Sequence, residues 1–261
     1  MFKQSLKSMA EETGISWTDA SWNPWHGCIK VSDGCKNCYM YRDKERYGQD
    51  PMLVVRGKTT FNAPLKWKEP KMIFTCSWSD WFIEHADPWR NEAWDIIKNT
   101  PQHTYQILTK RPERILANLP EDWGAGYPNV WLGISAEHNA ALLKRMADFS
   151  SVKAKVKFIS IEPLLAPVNS LEDVLRNGGI DWVIVGGESG NLKGKYRFRF
   201  CAQNWIEDVV NTCKDNHTPV FIKQLGSYIA NEKQLRSFGG HDIKEFPKSL
   251  QVREFPKNYK S

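Results

Sequence analysis

The sequence has few cysteines, no long apolar run and no stretch of low complexity. Six cysteines in 261 residues are too few for a disulfide scaffold. Clustered thiols in a reducing compartment are more typical of metal binding or catalysis. No apolar run approaches the ~20 residues that a membrane helix needs. The N-terminal segment, residues 1–14, lacks the apolar core of a signal peptide, so we expect a cytoplasmic protein with no membrane partner.

The net charge and the aromatic content favour a polyanionic partner. The formal net charge is +6, and twelve residues are tryptophan. Lysine and arginine neutralise phosphates while aromatic rings stack on bases, so the combination suits nucleic acid. A basic protein with a tryptophan-rich core has the same composition, and both interpretations stay open.

Short apolar runs alternate with amphipathic segments along most of the chain. The runs are rich in β-branched and aromatic residues and nearly continuous in hydrophobicity, as in strands buried on both faces of a parallel sheet. They span residues 72–80, 104–111, 129–137, 156–164, 181–190 and 219–226, with an earlier strand near residues 14–19. Helices are predicted over residues 87–99, 137–149, 170–179 and 202–216.

This alternation predicts an α/β protein whose parallel strands form a partial or full (β/α) barrel. The length fits one such domain. We assign residues 1–230 to the barrel domain, which includes an N-terminal three-cysteine loop, and residues 231–261 to a C-terminal extension.

Polar residues follow the carboxyl end of nearly every predicted strand. In a parallel α/β fold these ends meet at one face, where active sites form. The series therefore predicts a polar, ligand-binding mouth. Its members are Ser77, Ser79, Asp80, Lys110, Arg111, Ser135, Glu137, Ser160, Glu162, Glu188, Ser189, Lys223 and Gln224.

Three cysteines lie within eleven residues, with the spacing C-x6-C-x2-C: Cys28, Cys35 and Cys38. A CxxC turn brings two thiolates to one metal. A structural zinc site needs a fourth ligand, but the sequence contains no second CxxC and no HxxxH pair. Three thiolates without an evident fourth ligand also suit a [4Fe–4S] cluster with one open iron. Iron–sulfur, zinc and an unmetallated loop remain alternatives at this point.

Eight segments carry a resemblance to known families. They are TGISWTDASWNPWHGC (13–28), GCKNCYMYR (34–42), SWSDWF (77–82), ILTKRPERI (107–115), VWLGISAE (130–137), ISIEPLL (159–165), VIVGGESG (183–190) and FIKQLG (221–226). By these segments the chain is identified as a member of the phage and prophage three-cysteine-motif proteins, a family of unassigned function. A three-cysteine loop at the start of an α/β barrel also resembles the radical SAM superfamily, although the first gap here is three residues longer than the superfamily's C-x3-C-x2-C.

The second resemblance implies a [4Fe–4S] cluster held by the three cysteines and S-adenosylmethionine bound at its open iron, giving a 5′-deoxyadenosyl radical. It places cofactor contacts on the polar mouth, where Asp80 is matched to the methionine ammonium, with helix capping as the alternative. Asn37 stands where the superfamily has an aromatic residue, and SWSD replaces its Gly-Gly-Glu motif. The predicted cofactor contacts are Tyr39, Ser77, Ser79, Asp80, Ser135, Glu137, Glu162, Gly187 and Glu188.

The substrate expected from charge and aromatics is a nucleic acid base or nucleotide, in DNA modification or repair. Lys110, Arg111, Arg197 and Arg199 are predicted phosphate contacts, although an exposed edge strand would also alternate basic and aromatic residues over 195–200. A radical SAM enzyme further implies a reductant protein such as flavodoxin or ferredoxin. The alternatives are a zinc-stabilised nucleic-acid-binding module without catalysis and an iron–sulfur or nucleotide-processing enzyme that does not use S-adenosylmethionine.

Overall fold

A computed structural model of the chain describes residues 13–257. Seven of its strands form one curled, parallel half-barrel sheet in the order β1-β4-β5-β6-β7-β8-β9, so the predicted partial barrel is confirmed. The two other strands, β2 and β3, form a small antiparallel pair. The strands are β1 (Ala20–Trp22), β2 (Trp25–His26), β3 (Val55–Arg56), β4 (Met72–Thr75), β5 (Thr104–Thr109), β6 (Val130–Ser135), β7 (Val156–Ile161), β8 (Trp182–Gly186) and β9 (Val220–Gln224).

The four predicted helices are confirmed to within two residues at each end. The helices are α1 (Tyr39–Arg46), α2 (Asp87–Lys98), α3 (Asn139–Phe149), α4 (Leu171–Asn177), α5 (Gln203–Asp215) and α6 (Ser227–Glu232). The seventh strand, predicted ahead of the cysteine loop, is confirmed, but its predicted position near residues 14–19 is wrong, because this segment contains a turn in which the Thr18 amide donates to the Ile15 carbonyl. The strand follows it as β1.

The two faces of the sheet carry different side chains. Along each strand, alternate residues pack against the helices, as Ile107 and Ile134 do. The intervening residues form an aromatic layer on the other face that includes Phe74, Phe158 and Phe221. Polar residues occupy the next positions on that face towards the carboxyl ends of the strands. The inside of the half-barrel therefore has an aromatic floor and a polar mouth.

The described part of the C-terminal extension packs back along β9. The Ile222 amide donates to the Val252 carbonyl at 3.0 Å, and Phe221 forms an antiparallel bridge with Arg253. Phe255 then stacks on Trp182 with ring centroids 5.4 Å apart. Residues 1–12 and 258–261, which hold most of the predicted N-terminal segment and the end of the extension, lie outside the described residues. None of the helices in residues 13–257 combines the length and apolarity needed to cross a bilayer.

Candidate functional site

A cavity of about 830 Å³ lies at the carboxyl ends of the strands. The structure brings most of the predicted polar mouth together on its walls, above the aromatic floor of Trp17 and Phe74. Glu137 and Gln224 are the members of the series that do not line this cavity; both are buried beside it. The members of the predicted series that line the cavity are Ser77, Ser79, Asp80, Lys110, Arg111, Ser135, Ser160, Glu162, Glu188, Ser189 and Lys223.

The cysteine loop, residues 28–38, forms another wall of the same cavity. Cys28, Cys35 and Cys38 all line it, each half-buried and with a free thiol. The loop starts just after β2 and ends where α1 begins, next to the predicted cofactor contact Tyr39. Gly27 permits the entry into the loop, because its φ is +98° and a Cβ there would lie 2.2 Å from the Leu53 carbonyl oxygen.

The surroundings of Cys28 and Cys38 favour the protonated form of these two thiols when no metal is bound. Burial raises the pKa of Cys28 to about 12, and the nearby Asp80 carboxylate adds to the effect while Arg111 opposes it. Burial also raises the pKa of Cys38. Because a metal binds thiolates, loading this loop must release protons.

A first buried ion pair supports the loop beside Cys28. The Asp80 carboxylate, which follows β4, pairs with the Arg111 guanidinium at 3.1 Å and accepts from the Thr109 hydroxyl at 2.7 Å. Arg111 in turn donates to the Ile29 carbonyl at 2.7 Å and approaches the Cys28 sulfur at 3.9 Å. Both members of the pair are less than 10% exposed. Arg111 is therefore engaged by the protein itself, and a phosphate contact by it stays a prediction.

A second buried ion pair supports the loop beside Cys35. Glu137, which follows β6, is fully buried and pairs with Arg145 of α3 at 2.6 Å. Its carboxylate also accepts from the Gly34 amide at 3.2 Å. Burial alone would raise the pKa of Glu137, but the hydrogen bonds and the charge of Arg145 outweigh burial and lower the pKa to about 2. Glu137 thus holds the cysteine loop, and its predicted contact to the cofactor stays a prediction.

A third, partly buried ion pair supports the loop beside Cys38. Glu188, which follows β8, pairs with Arg199 and accepts from the Asn37 side-chain amide at 2.9 Å. Arg199 also donates to the Asp33 carbonyl at 2.8 Å, and Asn37 donates to the Arg197 carbonyl at 2.8 Å. Asn37 therefore fastens the last turn of the loop to the barrel.

The three ion pairs follow every second strand of the sheet, namely β4, β6 and β8, and each contacts a different part of the cysteine loop. Because parallel strands end at one face, carboxylates placed after alternate strands lie spread along the same edge. The loop is consequently anchored near each of its three cysteines before any ligand binds. Sequence reasoning assigned these carboxylates to a cofactor and missed Arg145 and Asn37 as their partners. Arg145 had a readable signal, because it falls on the same buried face of α3 as Leu142, Met146 and Phe149.

Two charged groups on the cavity wall remain available to a ligand. Glu162 pairs with Lys223 at 2.6 Å through one carboxylate oxygen, and among residues 13–257 its other oxygen has no hydrogen-bond partner. Within the same residues the Lys110 ammonium makes no hydrogen bond or ion pair. The backbone of Gly187 packs closely against that of Leu225, because a Cβ at Gly187 would lie 2.3 Å from the Leu225 carbonyl oxygen. Gly187 is therefore not available to a ligand in the same way.

The donor set fits an iron–sulfur cluster in its chemistry and in its placement on one cavity. It consists of three thiols from one loop that line the same cavity. Across residues 13–257, no three His, Cys, Asp or Glu side chains are already gathered as a metal site.

A family model matches residues 12–255, nearly the whole chain. The chain belongs to the family described as "Protein of unknown function (DUF5131)". No curated protein and no solved structure matches it. The family description assigns no activity, so the chemistry has to be argued from the cavity and its walls. The predicted association with phage stays a prediction.

Neighbouring residues Lys110 and Arg111 should respond differently to alanine substitution. Arg111→Ala strands the buried Asp80 carboxylate, and breaking a buried pair costs about 3–5 kcal/mol. Lys110→Ala removes an ammonium that has no partner among residues 13–257 and should change the free energy of unfolding by about 0.5 kcal/mol or less. Urea unfolding followed by tryptophan fluorescence measures both. Equal losses for the two variants would contradict the assignment of Arg111 as a support of the cysteine loop.

Proposed function

We propose that this protein is a radical SAM enzyme that carries a [4Fe–4S] cluster on Cys28, Cys35 and Cys38 and acts on a nucleic acid base or nucleotide. One observation carries the proposal: three thiols from one loop share a cavity of about 830 Å³ with the polar ends of the parallel strands. Cavities of about 300–1,000 Å³ hold cofactor-sized ligands.

Cys28, Cys35 and Cys38 would hold the cluster, which together with S-adenosylmethionine would supply the radical chemistry for removing a hydrogen atom from the substrate. The chain itself binds and orients the cofactor and the substrate, and it excludes water. Ser135 and Ser160 add hydroxyls to the inner wall, while Phe74 and Leu108 provide apolar surface below them. The free oxygen of Glu162 suits a hydroxyl or ammonium of the ligand, and the Lys110 ammonium suits a carboxylate or phosphate.

Asp80 is a weaker candidate for the ammonium contact than the sequence resemblance suggests. Both of its oxygens are occupied, one by the Thr109 hydroxyl and the Phe82 amide, the other by the Lys110 amide and the Arg111 guanidinium. Glu162 is better placed for that role, because one of its oxygens has no protein partner among the described residues.

The substrate class rests on charge. A net charge of +6 and the unpaired Lys110 in the cavity favour a phosphate-bearing substrate, as expected for modification or repair of DNA. The reaction also needs one electron, and flavodoxin or ferredoxin is the proposed donor. Free thiols and a reducible cluster suit the cytoplasm.

Anaerobic reconstitution tests the proposal. The protein is loaded with iron and sulfide, its metal content is measured, and it is incubated with dithionite and S-adenosylmethionine. We expect about four irons per chain and formation of 5′-deoxyadenosine. Bound zinc without iron and without cleavage would overturn the proposal in favour of the zinc-stabilised binding module.

A further inference from the structure

A second groove, of about 620 Å³, lies between the segment that follows β8 and helix α6. The cysteine loop and the first cavity do not use it. Its lining combines aromatic, basic and amide side chains, which is the mixture that single-stranded nucleic acid sites use. The lining residues are Leu192, Arg197, Phe198, Arg199, Phe200, Tyr228, Asn231 and Glu232.

Phe200 presents a large apolar ring to solvent in this groove. It is 51% exposed, although its ring is held at the edge by two neighbours. The centroid of Tyr228 lies 4.8 Å away and that of Trp205 lies 5.3 Å away, both in edge-on arrangements. A ring fixed by aromatic neighbours and left half in water gives a stacking surface that needs no further ordering.

The groove also carries positive charge that the protein does not neutralise. Arg199 is paired with Glu188 and Lys195 with Glu45. Among residues 13–257, the side chains of Lys193 and Arg197 make no hydrogen bond or ion pair, and both are exposed. Within the lining itself, Arg197 is the cation left without a partner among the described residues, and Glu232 is the acidic member.

The groove and the first cavity share one wall. Arg199 lines the groove, while its partner Glu188 lines the cavity. The Arg197 carbonyl accepts from Asn37, which also lines the cavity. The groove therefore lies next to the cavity.

We propose that this groove binds single-stranded nucleic acid, with one base stacked on Phe200 and a phosphate on Arg197. A single strand is favoured over a duplex because only an unstacked base exposes its face to a protein ring. Asn231 and Glu232 offer amide and carboxylate groups to the edge of that base. The binding site stands by itself, while placing the neighbouring nucleotide in the cavity as substrate rests on the proposed function.

Fluorescence anisotropy of the full chain, without metal, tests the proposal. The probes are labelled single-stranded DNA and RNA of about 12 nucleotides and a duplex of the same sequence. We expect the single strands to bind more tightly than the duplex. Phe200→Ala should weaken binding about tenfold, and Phe200→Trp should retain it. Arg197→Ala should lower the slope of log affinity against log salt by about 1.

Lys155→Ala is the matched control for charge, because Lys155 is exposed and precedes β7 at the opposite end of the barrel. Lys155→Ala should leave the affinity for the single strands unchanged. Unchanged affinity in Phe200→Ala would overturn the proposal, and so would a loss of affinity in Lys155→Ala equal to that in Arg197→Ala. Binding of flavodoxin but of no oligonucleotide would also overturn it. Since this assay uses no cluster, failure of S-adenosylmethionine cleavage leaves its result intact, and the reverse also holds.

Discussion

Replacing Cys35 by alanine is expected to give a folded protein that loses iron and no longer cleaves S-adenosylmethionine. The Cys35 thiol is half-buried, and its contact with the Ser32 hydroxyl is long, at 3.8 Å, so its removal should disturb the fold little. In the proposed function, iron binding depends on all three thiolates. Residues that only orient a metal ligand contribute about 10–100-fold to metal affinity or activity. Loss of a ligand itself should therefore lower the rate of S-adenosylmethionine cleavage by about 100-fold or more.

Cys201→Ala is the matched control for this variant, because Cys201 is a free thiol that does not line the cavity. Iron content and 5′-deoxyadenosine formation are measured on both proteins after the same reconstitution, and circular dichroism checks their folding. The control should retain both properties. A Cys35→Ala protein that still holds a full complement of iron and cleaves the cofactor unchanged would remove the cluster assignment.

Replacing Glu137 by alanine should cause a large loss of stability. The carboxylate is fully buried, and its removal leaves the Arg145 guanidinium buried without a counter-charge and the Gly34 amide without its acceptor. Breaking a buried pair from one side costs about 3–5 kcal/mol. We therefore expect the free energy of unfolding to fall by about that amount in urea titrations.

Glu172→Ala provides the comparison. Glu172 pairs with Arg176 one turn along α4, and both side chains are more than half exposed, so the pair should contribute about 0.5 kcal/mol or less. A Glu137→Ala variant as stable as Glu172→Ala would contradict the support role. The role also predicts a local effect: alkylation of Cys35 in the metal-free protein should become faster in a folded Glu137→Gln variant, whereas a purely global effect would change all six thiols alike.

The barrel could be predicted from the sequence because the patterns that indicate its strands and helices are local. Continuous β-branched and aromatic runs such as residues 129–137 have one favourable environment, a sheet covered on both faces, and the segments between them carry helical periodicity. The same reasoning placed the polar residues after the strands on one face. It misplaced the first strand, because a turn at Ile15 and Thr18 precedes β1.

The roles of the individual carboxylates depended on contacts between distant parts of the chain. Asp80, Glu137 and Glu188 look equivalent in sequence, each just after an apolar run. The chain distances to their partners differ widely: Asn37 lies 151 positions from Glu188, and Gly34 lies 103 positions from Glu137. Local patterns carry no information about such pairings.

The sequence by itself determined the architecture, the thiols and the set of polar residues at the mouth. Tertiary structure decided how that set divides: Asp80, Glu137 and Glu188 hold the cysteine loop, while Glu162 and Lys110 keep groups free in the cavity. The physical reason is desolvation. A buried carboxylate is tolerated only beside a cation or hydrogen-bond donors, and only the folded chain fixes which partners reach it.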